Sequence, residues 1–223
     1  TRFCKQLNIV YKRVVNAKKS QNSSTLLRLS NADFTRAFDQ VPYVIKGYEN
    51  LPKNKKNIFI YNHLAAVESN QLANGHSFSI DSHFVSAKIL MPKYNDSGQR
   101  IVRASRKNEY WRSEYYSRLS NIVVHTPESD KLEETPSEKK RRKESFFVDA
   151  QEAFNENRPL AIAPEGTSET PDNVTNKSPG PFKPGAFLLA NKLNPRPMII
   201  PIALANFDFP ISKTIYSAVI KEG

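Results

Sequence analysis

The sequence predicts an α/β fold with a largely parallel central sheet flanked by helices. Three observations carry this. Compact apolar runs of strand length recur along the chain, among them "NIFIYN", "RIVRAS", "NIVVHT", "PLAIAPEG" and "PMIIPIAL". Between them lie stretches whose apolar residues fall at helical spacing. Strand and helix signals therefore alternate, which implies crossover connections and parallel pairing. With 223 residues and no internal repeat, one domain with a sizeable core is expected.

Residues 1–41 read as a basic amphipathic helical segment ahead of a catalytic-type domain at 42–223. Phe3, Leu7, Val10 and Val14 share one helical face, with Lys5, Lys12 and Arg13 interspersed. Such a helix fits a membrane interface or a docked surface helix. Ser30 three positions before Asp33 resembles a capping box, with Phe34, Ala37, Phe38 and Val41 as the inner face of a short helix after it. "YVIKGYENLPKNKK" reads as a short strand and a polar turn, and "NIFIYN" as a buried strand. "DSHFVSAKIL" opens with an acid and should form a helix. "RIVRAS" is a strand, "NEYWRSEYYSRL" a helix and "NIVVHT" a strand. Residues 127–143 are charge-rich and include "KKRRK", so they read as an excursion leading into a helix that turns Phe147, Ala150 and Phe154 inward. "PLAIAPEG" is a strand ending in a turn, "FKPGAFLLANKL" a helix and "PMIIPIAL" a further strand.

A formal charge of +11 points to an anionic partner. Cys4 is the single cysteine, so no internal disulfide can form. No apolar run reaches the roughly 18–20 residues needed to span a bilayer. A nucleic-acid module would also use the charge, with "EYWRSEYY" as a stacking surface. No nucleic-acid fold signature is present, however, and none of that class is expected as a partner.

Four ordered stretches resemble the glycerolipid acyltransferase family. They are "GYENLP" (Gly47 to Pro52), "HSFSID" (His76 to Asp81), "PEGTS" (Pro164 to Ser168), and "FKPGAFLLA" followed by "IIPIAL". The resemblance spans roughly residues 42–205. It implies transfer of a fatty acyl group from an acyl thioester, on coenzyme A or acyl carrier protein, to a glycerol phosphate or lysophospholipid hydroxyl. No further cofactor and no metal are implied. The implied setting is an anionic membrane surface on its cytoplasmic side, reached peripherally or through a segment outside this chain. A silent lipid-binding protein on the same fold is the alternative.

The chemistry explains the residue types. A thiolate leaves readily, so no protein nucleophile is needed. The attacking hydroxyl must lose its proton, and a neutral imidazole accepts it near working pH. A carboxylate on the other ring nitrogen fixes the tautomer and steadies the imidazolium.

Two histidines compete for that role. His76 stands five positions before Asp81 and His63 five before Glu68. His76 with Asp81 reproduces the family spacing. His63, after an apolar strand and an asparagine, occupies the family's usual position. It could use Glu68, or Asp81 after a loop insertion. Asp81 is common to two of the three arrangements. On the acceptor side the resemblance implies Glu165, Gly166 and Thr167, an earlier arginine, here Arg106 with Arg103 beside it, and Lys183. Ser168 replaces the family's arginine. His83, two positions after Asp81, should point elsewhere on the helix, and as a metal pair with His76 it lacks a third ligand; His125 is expected to be structural.

Overall fold

The computed structural model describes residues 1–125, 135–166 and 179–223. The seven-stranded sheet has the order β1-β7-β6-β2-β5-β3-β4, with β1 at Tyr43–Lys46, β2 at Ile58–Tyr61, β3 at Gln99–Arg103, β4 at Ile122–Val124, β5 at Leu160–Ile162, β6 at Ile199–Ala205 and β7 at Tyr216–Ile220. The neighbours β6-β2-β5-β3-β4 are all parallel, and β1 is parallel to β7. Only the β6–β7 pairing is antiparallel. The mixed α/β architecture and the mostly parallel sheet are those the alternating pattern implied.

Helices cover both faces. In β2, Phe59 and Tyr61 pack into a core shared with α1 (Arg2–Val15), α2 (Ser23–Phe38) and α3 (Ile80–Phe84). Ile58 and Ile60 point the other way, into a second core with α6 (Pro136–Asn155) and α7 (Gly185–Lys192). A strand buried on both faces must be apolar at consecutive positions, which is why "IFIY" does not alternate.

The N-terminal stripe is part of the main core. Phe3, Leu7, Val10 and Val14 are buried in the same cluster as Phe34 and Phe38 of α2. The face that could have met lipid is thus covered by protein. Among the described residues no helix is long and apolar enough to cross a membrane. Leu7→Ala is expected to destabilise the domain by about 2–5 kcal/mol, because a fully buried side chain leaves a cavity. Denaturant unfolding measures this; a change near zero would mean that α1 is a dispensable appendage.

The capping box at Ser30 is corrected. Asn22 caps α2, accepting from Ser24 and Thr25 N–H. Ser30 and Asp33 instead lie buried within the helix, where Ser30 bonds the Tyr115 hydroxyl at 2.7 Å and Asp33 pairs with Arg13 and Arg36. The excursion at 127–143 is also redrawn. Residues 126–134 lie outside the described residues, but "KKRRK" forms an early part of α6, whose start Thr135 and Glu138 close with a reciprocal capping box.

After Asp81 the helix is not uniform. Residues Val85–Leu90 widen into π-helical turns before α4 (Met91–Tyr94). Gly47 has a requirement of its own. Its φ of +73° and a Cβ position 2.1 Å from the Ile220 carbonyl oxygen admit no side chain, and this glycine of "GYENLP" lets the chain turn out of β1 close against the end of β7.

Candidate active site

Because β2, β3, β4 and β5 run parallel, their C-terminal ends share one edge, where α/β folds place ligand sites. A cleft of about 350 Å³ opens there. Its lining includes His63, which follows β2, and the arginines of β3 and the segment leading into α5 (Tyr110–Tyr116).

His63 is held from three sides. Just before it, Asn62 ties the end of β2 to β6, donating to the Leu204 carbonyl at 2.9 Å and accepting from Leu204 N–H at 2.7 Å. The His63 backbone N–H donates to Glu165 Oε1 at 2.6 Å. Its ring Nδ1 lies 2.6 Å from Asp81 Oδ2. A carboxylate can only accept, so Nδ1 carries the proton and Nε2 keeps a lone pair in the neutral ring. Burial pulls the His63 pKa down, but the charge and hydrogen bond of Asp81, helped by Glu165, outweigh it and lift the pKa above the ordinary value.

The Asp81 carboxylate is itself fixed. Oδ2 accepts Leu64 N–H at 2.8 Å, and Oδ1 accepts Ser82 N–H at 2.6 Å. The residue is 1 % exposed.

Of the three arrangements the sequence left open, the structure forms the His63–Asp81 contact rather than His76–Asp81 or His63–Glu68, with an 18-residue separation bridged by the detour from Leu64 to Ile80. That detour is anchored by Leu64, Leu72, Phe78 and Ile80, all in the main core. His76 also lines the cleft, but burial, then Arg112, push its pKa down to about 4, and its Nε2 has no partner among the described residues. Its ring sits among Tyr11, Phe78 and Tyr115. Glu68, the other carboxylate considered, is exposed on a short 3-10 turn. His83 is buried, stacked on Phe34 at 3.7 Å and hydrogen-bonded to Arg100.

The residues assigned to the acceptor divide. Glu165 is 3 % exposed, and both its carboxylate oxygens serve backbone donors, Oε1 the His63 N–H and Oε2 the Gly180 N–H at 2.8 Å. It is better placed to position the loops than to touch a substrate. Gly166 turns at φ +76° with the Lys183 ammonium beside it: a Cβ there would lie 3.1 Å from Nζ. Gly166 and Lys183 are thus brought together next to the cleft. Thr167 and Ser168 lie outside the described residues. Arg106 and Arg103 both line the cleft.

Glu109 organises that arginine wall. It takes Arg103 in two hydrogen bonds of 2.9 and 2.6 Å and accepts Arg106 N–H at 2.7 Å. Burial alone would raise the Glu109 pKa, but Arg103 and the Arg106 amide hold it below the ordinary value. Arg112 lies 3.9 Å from the same carboxylate and over the Tyr116 ring at 4.4 Å. Arg112, Arg100 and Glu109 escaped sequence reasoning. For Arg112 the aromatic "EYWRSEYY" drew attention to packing, and only Tyr115 there is fully buried, while Tyr110 and Trp111 stand exposed at the cleft.

A histidine backed by a carboxylate, beside an arginine wall at the edge of a parallel sheet, has the chemistry to take a proton from a hydroxyl near an anionic group. The family comparison names the class. The acyltransferase family model matches residues 72–205, more than half of the 223, and the chain belongs to that family. The resemblance read from the four sequence blocks is borne out, and the protein is an acyltransferase. The matched span contains His76 and Asp81 but begins after His63. Among solved structures, the crystal structure of the 1-acyl-sn-glycerophosphate (LPA) acyltransferase PlsC from Thermotoga maritima is similar, with a TM-score of 0.54 and 15 % identity over 99 % of this chain and 78 % of that one. It shares the fold. The search of curated proteins gave no significant match.

Proposed function

We propose that this acyltransferase moves a fatty acyl group from an acyl thioester to the hydroxyl of a glycerol phosphate or lysophospholipid, in phospholipid synthesis. One observation carries the mechanism: the His63–Asp81 hydrogen bond of 2.6 Å at a cleft walled by arginines. In this reading His63 Nε2 takes the proton as the hydroxyl oxygen attacks the thioester carbonyl. Asp81 steadies the imidazolium formed. The carbon–sulfur bond then breaks, the thiolate leaves and takes the proton from His63, and an ester and a free thiol result.

Arg103, Arg106 and Arg112 give the cleft a positive wall suited to a phosphorylated substrate. The donor is an acyl group on coenzyme A or acyl carrier protein, and no further cofactor takes part. The proposal includes an anionic membrane surface as partner, on its cytoplasmic side. The charge of +11 and the exposed cations Lys139, Lys140, Arg141 and Lys143 of α6 support that part.

Thiol release from acyl-coenzyme A and from acyl carrier protein, with lysophosphatidic acid or glycerol 3-phosphate present or omitted, tests the reaction. Acceptor-dependent release with a new ester as product is expected. Release that ignores the acceptor, or none with either donor, would sink the proposal.

A further inference from the structure

Arg100 stands apart from the other arginines. It is the second residue of β3, opposite Ala161 of β5, and is 1 % exposed while lining the cleft, so it belongs to its deepest part. No carboxylate pairs with it among the described residues. Its Nη1 lies 2.7 Å from His83 Nδ1 and 3.0 Å from Nε2, and its carbon Cζ lies 6.0 Å from the Tyr116 ring centroid. Its Nε and Nη2 have no partner among the described residues.

A buried guanidinium with two idle donors is costly, because the charge has left water without a counter-ion. The neighbourhood does not supply one. Glu109 is engaged by Arg103 and Arg106, and Asp81 by His63, Leu64 and Ser82. His83, the one side chain among the described residues that Arg100 meets by hydrogen bond, is held neutral by burial and by Arg100 itself. Arg112 lines the same cleft and adds a second positive charge. Nε and Nη2 lie on one edge of the guanidinium plane, the fork that receives two oxygens of a carboxylate or phosphate.

From this arrangement we infer that Arg100, with Arg112, forms a phosphate-binding seat deep in the cleft, completed by an oxyanion that a substrate brings. The seat would do in this chain, from β3, what the resemblance assigns to the arginine that Ser168 replaces. It takes a phosphate group, carried either by the acceptor as a glycerol phosphate monoester or by the donor on coenzyme A. The inference rests on the acyl-transfer reading for the identity of those carriers, but not for the seat.

Thermal melting separates the two. Inorganic phosphate should raise the melting temperature of the wild-type protein in a dose-dependent way and leave Arg100→Gln unmoved. Arg100→Gln should itself melt no lower than wild type without phosphate, since it removes an uncompensated buried charge. Should that variant fail to fold, Arg100→Lys keeps the charge and loses the fork, and it should lose most of the phosphate response. Equal stabilisation of wild type and variant, or no stabilisation of wild type, overturns the seat whatever the activity assay gives. Repeating the melts with glycerol 3-phosphate and with coenzyme A identifies the source, as only the ligand seated on Arg100 loses its effect in the variant. In turnover, the KM for that substrate should rise at least tenfold in Arg100→Gln while kcat changes less. An unchanged KM for both substrates overturns the seat's role in turnover.

Discussion

Replacing His63 with alanine lowers acceptor-dependent thiol release by about 10²- to 10⁴-fold, the span a positioned general base contributes. Replacing His76 with alanine leaves most of the rate. Both residues line the cleft and either could be mistaken for the base, so the pair of variants decides between them. His63 has its Nδ1 proton fixed by Asp81 and a pKa lifted above its ordinary value. His76 has a pKa of about 4 and an Asp81 carboxylate already committed elsewhere. A ring that weakly basic extracts a proton poorly from an alcohol. Loss of activity in His76→Ala, with His63→Ala active and both variants melting like wild type, would reverse the assignment.

The second large effect is at Asp81. Asp81→Asn should cost about 10²- to 10⁴-fold in kcat/KM, since the amide nitrogen can face His63 and force the proton onto Nε2, removing the lone pair that acts as base. The sign of the pH effect follows from the same contact. In wild type the rate is low where His63 is protonated and rises with pH through an apparent pKa above 6.5, because Asp81 favours the charged ring. Without the carboxylate's charge, the residual activity should rise at lower pH than in wild type. A limb that stays in place would show that Asp81 does not act through His63. Asp81 also accepts two backbone amides, so a melt must accompany the kinetics. Asp81→Glu, which retains the charge but displaces it, should keep the limb raised while losing rate.

Much of this was legible in the residues, and the failures have physical causes. Strand and helix order could be read because apolar runs and helical stripes are local signals. "IFIY" became the central strand, and the stripe of Phe3, Leu7, Val10 and Val14 became a buried face. The antiparallel entry of β7 between β1 and β6 was not legible, since nothing in "YSAVI" says which neighbours it will choose. Ser30 and Asp33 misled because a serine before an acid caps a helix only where a helix begins, and α2 starts at Ser23. The five-residue spacing from His76 to Asp81 misled in the same way. Contact between a base and its carboxylate is a distance in space. A strand end and a helix start, each anchored in the core, can hold that distance while the chain between them lengthens. Position after "NIFIYN" was the better guide, because the strand fixes where His63 points.

The Glu165 carboxylate links three remote parts of the chain: the residue after β2, the turn after β5 and the backbone at Gly180. One carboxylate thus ties the backbone at His63 to the backbone at Gly180 across the turn that carries it, so while both hydrogen bonds hold these segments cannot shift independently.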